Sequence, residues 1–171
     1  GLGRIGLAVA KRLEAFGVSI AYHNRRQVEG VAYPYHATLT ELAANVDTLI
    51  CVVPGGAGTL NAVDAAVLAA LGADGVLINI GRGSTVDHEA LVAALKDGTI
   101  GAAGLDVFPD EPNVPAGLLD LPNAVLLPHV ASASVHTRNA MADLVADNLI
   151  AWFSDGKALT PVAETAHVTK G

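Results

Sequence analysis

The chain has 171 residues, enough for one domain with at most a remnant of a second. Half of them are hydrophobic (51 %) but only 4 % are aromatic, and this Ala/Val/Leu-rich composition suits a parallel sheet covered by helices on both faces. The net charge of −7 argues against nucleic acid as a general partner, no apolar run approaches a bilayer span, and the single cysteine, Cys51, excludes a disulfide framework. A reducing, cytoplasmic setting without membrane is the expectation.

Gly1-Leu2-Gly3-Arg4-Ile5-Gly6 is a complete G-x-G-x-x-G running into a helical pattern over residues 4–16. In a dinucleotide-binding loop Gly1 allows the tight turn, Gly3 admits a pyrophosphate close to the backbone, and Gly6 lets helix pack on strand. Free N–H groups and the positive end of the helix dipole then hold the phosphates. The bland alternative is a glycine turn with no ligand. The strand that precedes such a loop would lie before residue 1. The reading is therefore a C-terminal part of a longer protein, poorly soluble and nearly inactive alone.

Along the first helix Ile5, Val9, Leu13 and Phe16 fall near one face, and Gly17 is placed to stop it. Val18–Tyr22 reads as a short strand. Thr38–Ala44 reads as one or two helical turns with Thr38 or Thr40 as cap. Asp47–Val53 is a buried strand, 54–58 a loop, and Thr59 a cap for a helix to about Leu71. Val76–Ile80 is the next strand, followed by Gly81-Arg82-Gly83. Asp87 caps a helix to about Lys96. Ala102–Val107 and Ala124–Leu127 are further strands, with a proline-rich loop and a helical turn at Pro115–Leu119 between them. A long helix spans about Val135–Phe153. The segments predict two parts: residues 1–153 as a doubly wound α/β domain lacking its first strand, and 154–171 as a connector.

After the second strand of such a domain, an acidic residue about 20 positions on favours the free ribose of NAD, and arginine accommodates the 2′-phosphate of NADP. Here the segment is Asn24-Arg25-Arg26, and Glu29 lies past the strand end. The planar fork of arginine suits phosphate, so NADP(H) is preferred, with NAD(H) kept as an alternative.

Three residues follow the carboxyl ends of expected strands: Arg82 in 78–83, Glu111 in 104–112, and His129 in 126–132. Ligands of open α/β sheets bind outside those ends, so all three point toward one crevice. Alone, each reads as readily as a loop arginine, a surface acid or a core histidine. Of the other histidines, His23 and His36 lie in loops, His88 at a helix start, His136 in the long helix's first turn and His167 in the tail. None clusters as a metal site does, and no metal is expected.

In GLGRIG, INIGRG, GLDVFPDEP and LLPHVASAS, in this order and spacing, the chain resembles the D-2-hydroxyacid dehydrogenase family from Gly1 to about Val162. The glyoxylate/hydroxypyruvate and hydroxyphenylpyruvate reductase branch is the nearest likeness. The resemblance implies a Rossmann-like nucleotide-binding domain inserted in a substrate domain, a homodimer, and reduction of a small 2-keto acid to the D-2-hydroxy acid. It implies His129 as proton donor to the carbonyl, Glu111 orienting the imidazole and favouring its charged form, and Arg82 gripping the carboxylate and keto oxygen. Asp106 would face the nicotinamide carboxamide and Ser132 would line the pocket. It adds Arg4, Ile5, Val53, Pro54, Thr59, Ile80 and Gly81 to the cofactor contacts, together with Arg82 and His129 themselves. The stretch 53–59 departs from the family's commoner, longer polar loop, so contacts there transfer least. An NAD-linked phosphoglycerate or formate dehydrogenase type, a dinucleotide-sensing corepressor-like scaffold, and a truncated product without enzymatic role stay open as alternatives.

Overall fold

The computed structural model describes residues 1–170, which divide into two compact units, residues 1–128 and 129–170. The first begins with helix α1 (Arg4–Glu14), then α2 (Leu39–Ala43), strand β1 (Thr48–Cys51), helix α3 (Ala65–Leu71), β2 (Val76–Asn79), α4 (His88–Asp97), β3 (Ala102–Leu105), α5 (Ala116–Leu119) and β4 (Ala124–Leu126). The four strands form one parallel sheet in the order β1-β2-β3-β4. Each crossover carries a helix, as parallel neighbours require.

Alternation along the strands sorts side chains to two faces. Leu49, Leu77 and Ala103 share one register row, and Cys51, Asn79 and Leu105 the next. This face is buried with Leu42, Val67, Leu68, Leu91, Leu95, Ile100 and Leu118 from the helices and their connections. Leu68, Leu77, Leu91, Ile100 and Leu118 are wholly inaccessible. Each such side chain contributes about 1.5–3 kcal/mol relative to exposure, so this layer dominates the unit's stability. The opposite face carries Val76, Ile78 and Val125, the last 64 % exposed.

Local chemistry explains the helix starts. Thr38 accepts the Glu41 N–H at the start of α2, Asp64 accepts the Val67 N–H at α3, and Asp87 accepts from both Glu89 and Ala90 at α4. The expected Thr59 cap is thus a correction. Thr59 ends a 3₁₀ turn (Ala57–Thr59), its hydroxyl donates to the Pro54 carbonyl at 2.6 Å, and the helix waits for Asp64. A carboxylate outcompetes a hydroxyl that a nearer carbonyl already holds.

One further expectation fails in the first 36 residues. Residues 18–22 form no ladder. Tyr22 makes only an isolated parallel bridge with Tyr35, because no strand lies alongside it among the described residues. Along α1 the buried positions are Gly6 and Ala10, while Ile5 is 64 % exposed and Phe16, past the helix end, is 82 % exposed. A small second core of Leu2, Ala10 and Tyr22, flanked by Leu7, Ile20, Val28 and Tyr35, holds this part together.

The second unit contains helix α6 (Val135–Asp155), capped by Ser134 and closed by Gly156 in the left-handed region. Its tail doubles back. Asn148 accepts the Thr160 N–H and donates to its hydroxyl, and Lys170 N–H reaches the Gly156 carbonyl. No described helix is long and apolar enough to cross a membrane.

Candidate active site

Two of the three glycines in the loop stand where a side chain would not fit. A Cβ on Gly6 would collide with the Gly1 carbonyl, and one on Gly1 would lie 2.7 Å from Val53 Cγ1. Gly3 differs: a Cβ there would meet nothing within 4 Å. The chain's own packing does not demand glycine at position 3, and the bare backbone there faces open space. Gly3 is also the N-cap of α1, and no side chain caps that end. The helix therefore begins in unclaimed N–H groups beside an open surface, which is what a pyrophosphate needs.

Asn24 begins the Asn24-Arg25-Arg26 segment, and its Oδ1 accepts the Leu2 N–H at 2.6 Å, which ties this segment to the glycine loop. Arg25 and Arg26 are exposed, and neither forms an ion pair among the described residues.

Arg82 leaves the carboxyl end of β2 on a turn fixed by buried polar groups. Asn79, fully buried, accepts the Gly81 N–H at 3.0 Å and donates to the Arg82 carbonyl at 3.0 Å. Thr85, equally buried, donates its hydroxyl to the same carbonyl at 2.6 Å, and the Cys51 thiol lies 3.3 Å from that hydroxyl. Each such bond contributes about 1 kcal/mol net, and more is lost when a buried partner is orphaned. The guanidinium donates from Nη1 to the Gly81 carbonyl. Gly81 packs on the Val53 carbonyl, and a Cβ on Gly55 would come within 3.2 Å of Arg82 Cγ. The glycine-rich 53–58 loop thus flanks the arginine stem through Gly55, while Pro54 offers its carbonyl to Thr59 and the Ile80 N–H donates to the Cys51 carbonyl at 3.1 Å.

Asp106 continues β3 through its N–H on the Asn79 carbonyl and is buried. Glu111, in the loop beyond, is exposed and accepts the Phe108 N–H at 3.0 Å through Oε1. Gly83 joins the two loops, since a Cβ there would fall on the Phe108 carbonyl. His129 follows β4 by three residues in the second unit and adopts φ 55°, a left-handed conformation uncommon outside glycine; Ser132 lies three residues further on. Asn79 and Thr85 were missed in the sequence. The signal was an asparagine ending an apolar strand, one residue short of Gly-Arg-Gly.

His88 closes the same corner. Its Nε2 donates to the Gly83 carbonyl at 3.1 Å, its ring lies 6.5 Å from that of Phe108, and its buried Nδ1 has no partner. Burial holds the imidazole below the ordinary 6.5, against the opposing pull of the Gly83 carbonyl and Asp87. As pH falls below 6.5 the unfolded chain therefore takes up this proton first. Stability present above that value declines until the lowered folded value is passed. His88→Gln keeps an N–H donor without titrating, and it should flatten this part of the profile in urea unfolding compared at about pH 8 and about pH 5.5. An unchanged slope would show that His88 does not contribute.

No group of three His, Cys, Asp or Glu side chains among the described residues is placed to hold a metal.

A parallel α/β sheet, a glycine loop opening an uncapped helix, and charged residues past neighbouring strand ends define a dinucleotide-binding domain of oxidoreductase type. The chain belongs to the D-isomer-specific 2-hydroxyacid dehydrogenases, whose NAD-binding domain profile matches residues 1–131. It is 55 % identical to glyoxylate/hydroxypyruvate reductase A of Arabidopsis thaliana and 52 % identical to hydroxyphenylpyruvate reductase of Plectranthus scutellarioides, each over 162 residues. Those matches cover 95 % of this chain and 52 % of each relative. An NADPH-dependent glyoxylate/hydroxypyruvate reductase of Sinorhizobium meliloti, solved with NADP and malonate, superposes with a TM-score of 0.96 at 68 % identity, covering 100 % of this chain and 53 % of that one. The chain thus spans about half the length of the relatives it matches.

Proposed function

We propose that the protein carrying this chain reduces a small 2-keto acid, such as glyoxylate, hydroxypyruvate or an aryl pyruvate, to the D-2-hydroxy acid with NADPH. The observation that carries the reading is topological: Arg82, Glu111 and His129 each lie shortly past the carboxyl ends of β2, β3 and β4, three neighbouring parallel strands. The names of the relatives point to the same chemistry.

The fit of the cofactor rests on open Gly3 and the uncapped α1 terminus. Gly1, Gly3, Arg4, Ile5 and Gly6 would hold the pyrophosphate, Asn24, Arg25 and Arg26 would line the 2′-phosphate side, and Val53, Pro54, Thr59, Ile80, Gly81 and Asp106 would border the nicotinamide half. When bound, the reduced nicotinamide supplies the hydride. Arg82, always charged, holds the substrate carboxylate and draws electron density toward the keto oxygen. His129 gives a proton to that oxygen as it gains charge. Glu111 orients the imidazole and favours its charged form, and Ser132 lines the pocket. Residues 1–153 act as the nucleotide-binding domain and 154–171 return toward a substrate domain. The assembly is a cytoplasmic homodimer.

The test follows NADPH and NADH oxidation by the complete enzyme over glyoxylate, hydroxypyruvate and 4-hydroxyphenylpyruvate. Turnover that prefers NADPH on at least one keto acid is expected. Tight dinucleotide binding with no turnover would overturn the reading in favour of a dinucleotide-sensing scaffold.

A further inference from the structure

We infer that Tyr22 and Tyr35 are positioning residues for cofactor selection: their two hydroxyls clamp the ends of the segment that presents Arg25 and Arg26. The inference rests on the NADPH reading above and adds to it the residues that make two exposed arginines selective.

An exposed arginine pair on a free loop discriminates poorly, because ordering the loop and both side chains consumes much of the gain from the phosphate. This segment is ordered in advance. The Tyr22 hydroxyl accepts the Val28 N–H at 2.9 Å, and the Tyr35 hydroxyl donates to the Asn24 carbonyl at 3.2 Å. The bonds bracket residues 24–28 with the arginines between them. The two rings pack on each other, centroids 5.4 Å apart and tilted by 52°, and Tyr22 is almost wholly buried.

Beneath the rings the backbones are joined twice. Tyr22 N–H donates to the Pro34 carbonyl and His36 N–H to the Tyr22 carbonyl, each at 2.9 Å. His23 Nδ1 adds a third link, to the His36 carbonyl at 3.0 Å. The rings therefore stand on a fixed base. Asn24 extends the brace to the glycine loop through the Leu2 N–H. The spacing between the pyrophosphate loop and the arginines is thereby set before any ligand arrives, which is the condition under which a charged fork can tell a phosphate from a hydroxyl.

A hydroxyl that merely satisfied a buried backbone group would support both cofactors equally. One that places the arginines supports NADPH alone, so NADH is the internal control. In the complete enzyme, Tyr22→Phe and Tyr35→Phe keep both rings and delete one bond each. Each is expected to lower kcat/KM for NADPH about 5-fold, mostly through KM, and to leave NADH within about 2-fold. The double variant should lose about 20-fold on NADPH. On an Arg25→Ala/Arg26→Ala background the same tyrosine changes should alter neither cofactor. Competition by adenosine 2′,5′-bisphosphate against 5′-AMP reads the same site without turnover and should weaken for the bisphosphate alone.

Equal losses on both cofactors, or an unchanged NADPH:NADH ratio in variants of a wild type that prefers NADPH, would overturn the clamp and leave the NADPH reading intact. A wild type that uses both cofactors equally would overturn that reading, and the clamp with it.

Discussion

Removing the imidazole of His129 is expected to lower kcat for keto-acid reduction by about a hundred- to ten-thousand-fold, the range for loss of a general acid. Dinucleotide affinity should change little, because the proposed pyrophosphate contacts lie at the start of α1, on residues other than His129. The choice of replacement matters. His129 sits at φ 55°, where asparagine is tolerated far better than alanine. His129→Asn therefore removes the proton donor with less backbone disturbance, and His129→Ala beside it reports the cost of that disturbance. Stopped-flow reduction with NADPH, paired with fluorescence titration of the cofactor, separates chemistry from binding. Turnover retained within a few-fold in His129→Asn would remove this residue from the mechanism.

A methyl group at position 83 should be among the most damaging small changes in the chain. The Cβ of Gly83→Ala would fall on the Phe108 carbonyl and the Pro109 nitrogen, which are backbone and cannot swing aside. Overpacking of this kind costs about 3 kcal/mol. The Asn79–Thr85 network resists movement on one side, and the Glu111 bond to Phe108 resists it on the other. Urea unfolding gives the stability loss directly. The contrast is Gly3→Ala, whose new methyl meets open space. It should cost the fold about 1 kcal/mol or less while weakening dinucleotide binding. If both variants lose the same stability, the distinction between a glycine kept for packing and one kept for a ligand fails.

That distinction also marks how far the sequence could be read. The glycine spacing, the apolar runs of β1 to β3 and the Asp87 cap depend on neighbours within a few positions, and they appear in the structure where the pattern puts them. The Val18–Tyr22 strand does not, because a strand exists only by pairing, and its one bridge is to Tyr35. Apolar content alone could not tell a ladder from a tyrosine-pinned loop. The start of α3 is ambiguous in the sequence because two cap residues, Thr59 and Asp64, lie within one short stretch. Deciding between them needs the Pro54 carbonyl that occupies the threonine. Around the candidate site, the charged residues were legible from their motifs. What holds them was not. Cys51 and Thr85 lie 34 positions apart, and their contact arises only when β1 and β2 align in register.

That contact gives the domain a built-in clock. Cys51 is the single thiol in the sequence, buried at the end of β1, with its sulfur against the hydroxyl that holds the Arg82 carbonyl. A sealed thiol reacts with a modifying reagent only through transient openings, at a rate set by how often its surroundings part. The pace of its labelling therefore counts the breathing of the arginine turn itself, at a residue the chain already carries. Any ligand that steadies the turn must slow that count.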